Sequence, residues 1–87
     1  MYRVRILDAP AKELEALDRS TRERVVQRLR WLAAHIEQTD PEAFKGPLRG
    51  MFKLRVGDYR VVYELLREEE TLLVHIVGHR SMIYRRR

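Results

Sequence analysis

The stretch Met51-Phe52-Lys53-Leu54-Arg55-Val56 constrains the fold more than any other part of the chain. It alternates strictly, with Phe52, Leu54 and Val56 on one side and Lys53 and Arg55 on the other. A period of two is the mark of a strand with one buried and one polar face. Gly57-Asp58 follows, a two-residue hairpin signal in which glycine supplies the positive φ of a type II′ turn. The return run, Tyr59 to Leu66, is apolar on both sides and is therefore predicted to be a central strand. After the acidic turn Glu68-Glu69-Glu70, the run Leu72 to Val77 makes a third consecutive strand.

The first half reads differently. Residues 2–7 alternate Val4 and Ile6 against Arg3 and Arg5, a strand with one solvated face. Asp8 is placed to cap a short helix that tolerates Pro10 in its first turn and ends near Asp18, with Leu14 and Leu17 inward. Ser20-Thr21-Arg22-Glu23 fits a capping box that opens a second helix running to about Gln38. Val25, Leu29, Leu32 and Ile36 form its buried stripe, and Trp31 falls roughly 150° from the centre of that stripe. An exposed tryptophan either covers a neighbouring part of the domain or anchors a partner. Asp40-Pro41 ends the helix, and Gly46, Pro47 and Gly50 mark an irregular connection. The predicted fold class is α+β, in the order β-α-α-β-β-β, with a helical pair packed on one face of a small, mostly antiparallel sheet. Residues 1–87 are read as one domain.

Composition narrows the chemistry. The 87 residues include no cysteine, which excludes disulfides, thiolate metal sites and a cysteine nucleophile. No apolar run approaches the ~20 residues needed to span a bilayer, and no signal peptide precedes the first strand, so a soluble, cytoplasmic protein without membrane partners is expected. The net charge of +5 is unevenly spread. Residues 1–44 carry 8 basic and 8 acidic side chains, whereas residues 45–87 carry 10 basic and 5 acidic. A basic surface confined to the second half fits a polyanionic partner, or else simply keeps the protein soluble.

Three histidines invite a metal or acid–base reading. On a strand, however, His75 and His79 stand about 13 Å apart, too far to share one ion. His79, beside Arg80, remains a candidate acid–base or phosphate-contacting group. No Ser-His-Asp order, glycine-rich phosphate loop or paired-carboxylate motif is present, and Asp8 and Glu64 are the only acids placed within strands. A metal-dependent nuclease, which needs converging carboxylates, is poorly supported. The cations offer more. Lys53 and Arg55, Arg60 across the hairpin, and Arg80 with Tyr84 after the last strand lie at the ends of adjacent strands, the turn bringing Lys53 close to Arg60. Metal-free phosphodiester cleavage needs cations around the phosphate, a base and an acid, and a cation-ringed tyrosine is pushed toward its phenolate. Taken alone, the same cluster fits a protein that merely grips a nucleic-acid backbone.

The combination Leu48-Arg49-Gly50, Leu54-Arg55-Val56-Gly57-Asp58-Tyr59-Arg60-Val61-Val62-Tyr63, Val77-Gly78-His79-Arg80 and Tyr84-Arg85 resembles the RelE/ParE superfamily of toxin–antitoxin toxins, and the resemblance spans essentially the whole chain. Its RelE branch implies the toxin of a type II system, a ribosome-dependent endoribonuclease that cuts mRNA in the A site. There the 2′-hydroxyl attacks the adjacent phosphate, leaving a 2′,3′-cyclic phosphate, with no metal or other cofactor. The resemblance implies a catalytic set of Lys53, Arg60, Arg80 and Tyr84, with Tyr84 as base, Arg60 and Arg80 stabilising the transition state and Lys53 stabilising charge. Arg55, His79, Arg49, Lys45 and Arg85 are the implied contacts to RNA or ribosome. The implied partners are the ribosome, mRNA and a cognate antitoxin with an acidic, partly disordered segment, for which Trp31 and Arg28 are candidate contacts. Met51 stands where the best-known RelE pattern has a second lysine, and His79 is a candidate to compensate. The alternatives are a ParE-like gyrase inhibitor without nuclease activity and a decayed toxin that only binds its antitoxin.

Overall fold

The structure is a computed structural model, and it describes residues 1–83. Strand β1 (Arg3–Ile6) leads into helices α1 (Asp8–Glu15) and α2 (Arg19–Ala34). Strands β2 (Glu42–Ala43), β3 (Phe52–Val56), β4 (Tyr59–Leu66) and β5 (Thr71–His79) follow, and a short helix α3 (Arg80–Ile83) comes after β5. The sheet order is β1-β5-β4-β3-β2, with every pair antiparallel except β1 with β5. This is the expected α+β arrangement with its helical pair on one face. β4 lies at the centre, as its apolar faces require.

Packing follows the sequence pattern. Val25, Leu29, Leu32, Ala33 and Ile36 from the α2 side, with Leu14 of α1, meet Leu54, Val56, Val61, Tyr63, Leu72, Val74 and Val77 of the sheet in one core. Gly57 has φ +58°, while Glu70 is the one non-glycine residue at positive φ among those described. Asp58 therefore keeps a negative φ, which makes the β3–β4 connection type II′ rather than I′. On the opposite face α3 folds back so that Ile83 is buried, its Cδ1 3.3 Å from where a β-carbon on Gly78 would stand.

Several boundaries differ from expectation. The residue preceding α1 is Leu7, with no side-chain cap bond, and Asp8 sits inside the first turn, where its charge still meets the helix dipole. The second helix starts earlier than the capping box predicts: Asp18 is the cap, its Oδ2 accepting the Thr21 N–H at 3.1 Å. Hydrogen bonding from Thr21 holds the Asp18 carboxyl below its ordinary value. Ser20 thus lies within the helix, and Glu23 pairs with Arg19 at 3.0 Å instead of reaching back to a cap. The same helix breaks at His35 and resumes as a 3-10 turn over Ile36–Gln38. There the His35 ring donates from Nδ1 to the Trp31 carbonyl at 2.7 Å, and the His35 N–H bonds Leu32 O. The side chain takes the acceptor that the helical ladder would otherwise use. The two-residue β2 was not expected in the irregular connection.

Tyr63 is buried and stacks on Phe52 at 5.8 Å. Burial pushes its phenol up to about 12 from an ordinary 10.0. A raised value leaves its contribution intact below pH 10 and removes it as pH rises toward 12. Tyr63→Phe is therefore expected to lose less stability than the wild type between pH 9 and 11, measured by urea denaturation at both.

Candidate functional site

Directly opposed residues in a sheet share a face. The register pairs Lys53 with Val62 and Arg55 with Arg60 across β3–β4, then Val62 with Ile76 and Arg60 with Gly78 across β4–β5. Lys53, Arg55 and Arg60 thus stand together on the face away from α1 and α2. The neighbour directly across from Arg60 is Arg55, with Lys53 on the diagonal one pair further along on the same face. Arg80 joins this end of the sheet by a backbone bond, its N–H donating to Asp58 O at 2.8 Å. Its guanidinium lies 3.9 Å from the Asp58 carboxylate and is largely exposed.

Arg60 is only 8% exposed. Its Nη1 donates to the carbonyls of Gly57 and Tyr59, both at 2.9 Å, so the guanidinium braces the hairpin from within. Its Nε is buried with no hydrogen-bond partner. A charged fork fixed by two carbonyls and holding an unused donor is a preorganised feature of the kind that anion sites use.

Lys53 is held more tightly than a surface lysine, with its side chain 12% exposed. Its Nζ lies 5.0 Å from the centroid of the Phe44 ring and 3.5 Å from Glu42 Oε2. The same oxygen accepts from Arg55 Nη2 at 2.9 Å. The Arg55 hydrogen bond, aided by the Lys53 charge, holds the Glu42 carboxyl below its ordinary range. The group's folded value is depressed, so its contribution is present above the ordinary carboxylate value and is lost as pH falls through the lowered one. Glu42 was not singled out from the sequence, because nothing around Asp40-Pro41 signals a strand. Once β2 pairs Glu42 with Lys53, the carboxylate is delivered to both cations. It therefore joins Glu64 as an acid on a strand, while Asp8 lies on a helix.

His79 ends β5, with its ring edge-on to Tyr59 at 5.6 Å. Its Nδ1 accepts from the Ser81 N–H at 3.2 Å and lies 2.8 Å from Ser81 Oγ. In the neutral ring this leaves the proton on Nε2. His75 is spent elsewhere, donating from Nε2 to Glu64 Oε1 at 2.9 Å. Lys45 and Arg49 stand exposed on the connection between β2 and β3. Tyr84 and Arg85 lie outside the described residues. Trp31 and Arg28, on α2, line two adjoining grooves together with Arg55.

Arg60 and Arg80 make separable predictions. Arg60→Ala strands two turn carbonyls in a buried place and is expected to cost about 1–3 kcal/mol. Arg80→Ala keeps its backbone bond to Asp58 and should change stability by about 0.5 kcal/mol or less. Urea denaturation of both variants checks the contrast.

Comparison with known proteins agrees with this geometry. Residues 4–84 match the sequence model of the ParE toxin of the parDE type II toxin–antitoxin system. The toxin–antitoxin complex RelBE2 of Mycobacterium tuberculosis contains a chain that superposes with a TM-score of 0.80 at 25% identity, covering 90% of this chain and 96% of that one. The isolated RelE toxin of E. coli gives 0.76 at 20% identity, covering 99% and 98%. A chain of the archaeal RelE–RelB complex of Pyrococcus horikoshii gives 0.69 at 23%, covering 91% and 94%. No curated protein sequence matches this chain. With a match over nearly its whole length and a fold shared with RelE toxins, the chain belongs to the RelE/ParE superfamily as a toxin of a type II toxin–antitoxin system.

Proposed function

We propose that this toxin is a ribosome-dependent endoribonuclease that cuts mRNA in the ribosomal A site. The observation that carries this reading is the gathering of Lys53, Arg55 and Arg60 on one sheet face, with Arg80 tied to the same hairpin end. In this reading the substrate's 2′-oxygen forms a bond to the adjacent phosphorus as the bond to the 5′-oxygen breaks. The products are a 2′,3′-cyclic phosphate and a free 5′-hydroxyl. Tyr84 takes the proton from the attacking hydroxyl, and the leaving oxygen receives one from Nε2 of protonated His79, which returns to the neutral ring. Arg80 holds the phosphoryl oxygens, and the charges of Arg60 and Lys53 offset theirs as it builds up. Arg55, with Lys45, Arg49 and Arg85 around the rim, contacts the RNA or ribosomal backbone. Substrate phosphate replaces Glu42 as the anion facing Lys53 and Arg55. A cognate antitoxin blocks the site.

The test is a translation reaction with purified ribosomes, a defined mRNA and primer extension. Wild type is expected to cut within the A-site codon, and Arg80→Ala and Tyr84→Phe are each expected to cut about 100-fold more slowly or worse. Folded, antitoxin-free protein that leaves the message intact overturns the reading. The ParE description of the matching family favours one alternative, a gyrase inhibitor. That reading predicts blocked supercoiling with no RNA cut.

A further inference from the structure

Strand β5 delivers two of the site's polar groups, His79 at its end and Arg80 immediately after it. On one side β5 is paired with β4 along its whole length, from Thr71 against Leu66 to His79 against Tyr59. Its other side is covered over only part of that distance. β1 pairs with Thr71 to Val74, and the Leu7 N–H reaches Val74 O at 3.3 Å. Among the described residues no strand lies on that side of β5 from His75 to His79. A backbone N–H pointing there and shut off from water needs another acceptor.

Helix α1 supplies one. Glu13 Oε1 accepts the Val77 N–H at 3.1 Å, a contact that spans 64 positions of sequence. Val77 is buried, and Leu14, the next residue of α1, belongs to the same core, so the carboxylate is held against the end of the strand. Hydrogen bonds to an ionised acceptor are among the stronger ones. One side chain thus does for the end of β5 what β1 does for its beginning. Just beyond, the Arg80 N–H donates to Asp58 O at 2.8 Å, and His79 Nδ1 accepts the Ser81 N–H. The segment that carries His79 and Arg80 is therefore fixed by the β3–β4 hairpin on one side and by Glu13 on the other.

We propose that Glu13 is a positioning residue for RNA cleavage: by holding the Val77 N–H it sets where β5 ends, and with it the placement of His79 and Arg80 against the scissile phosphate. The inference rests on the reading of the chain as a ribonuclease. It adds a group on the helix-covered side of the sheet that touches neither RNA nor the reacting atoms. Small displacements of groups that must meet a transition state slow a reaction strongly. The bond is accordingly felt in the chemical step rather than in ribosome binding.

The test pairs cleavage rates on mRNA-programmed ribosomes with amide exchange of the free toxin. Glu13→Gln keeps an oxygen of the same reach and is expected to cut within about 3-fold of wild type. Glu13→Asp keeps the charge but draws it back by one methylene, and Glu13→Ala removes the acceptor. Both are expected to lower the rate at saturating ribosomes at least about 10-fold, with the half-saturating ribosome concentration changed less than about 2-fold. In the same two variants the Val77 amide should exchange at least about 10-fold faster relative to that of Val62 on β4. Asp18→Ala, which removes the α2 cap and so lowers stability without touching β5, should cut at the wild-type rate. Glu13→Asp cutting as fast as wild type overturns the proposal. So does Glu13→Gln falling with it, or Asp18→Ala slowing as much as Glu13→Ala. Should Glu13→Ala fail to fold, the contrast of Gln with Asp decides alone. These results leave the ribonuclease reading standing, whereas wild type that leaves the message intact overturns both.

Discussion

Val61 and Tyr63 point into the core beneath the helices, while Arg60 and Val62 point to the opposite face, and all four are buried. A strand in this position needs hydrogen-bonded neighbours on both edges, because no water reaches its backbone. β4 obtains them from β3 and β5, and the two hairpins that deliver those strands fix everything else. Placing an arginine rather than an apolar residue in that strand is costly unless its polar atoms are used. Arg60 spends one nitrogen on two turn carbonyls and leaves another unspent. The same side chain thus locks the hairpin and supplies a buried cation to the candidate site.

Glu42 shows how little the chain relies on charge number alone. Three cations on one face repel one another, and a lone carboxylate on a two-residue strand relieves two of them. The arrangement holds Lys53 and Arg55 in an ordered, partly neutralised form. Lys53 is further confined by the Phe44 ring, so its position owes as much to packing as to charge.

Much of this was legible in the sequence. Alternation around Gly57-Asp58 located the central hairpin, its turn type and the face carrying Lys53 and Arg55, because a strand's period allows only one assignment once a buried face is known. The α2 stripe was equally readable from Val25, Leu29, Leu32 and Ile36. What escaped depends on contacts distant in sequence or on competition between local bonds. Asp18 and Ser20 are both good caps, and only the folded helix shows which one reaches a free N–H. His35 breaks its helix through a ring nitrogen that periodicity does not see. Glu13 reads as one more polar helix residue until the end of β5, distant in sequence, is placed beside it.

The parallel pairing of β1 with β5 joins Arg3 to Thr71 and Ile6 to Val74. Nearly the whole chain must therefore exist before its first strand has a partner. Such non-local closure is late and slow compared with hairpin formation. During synthesis β1 waits without a strand partner until β5 has been made. A molecule built this way closes its local hairpins first and its sheet last. The topology makes the last step of folding the one that joins the first strand to the last strand among the described residues.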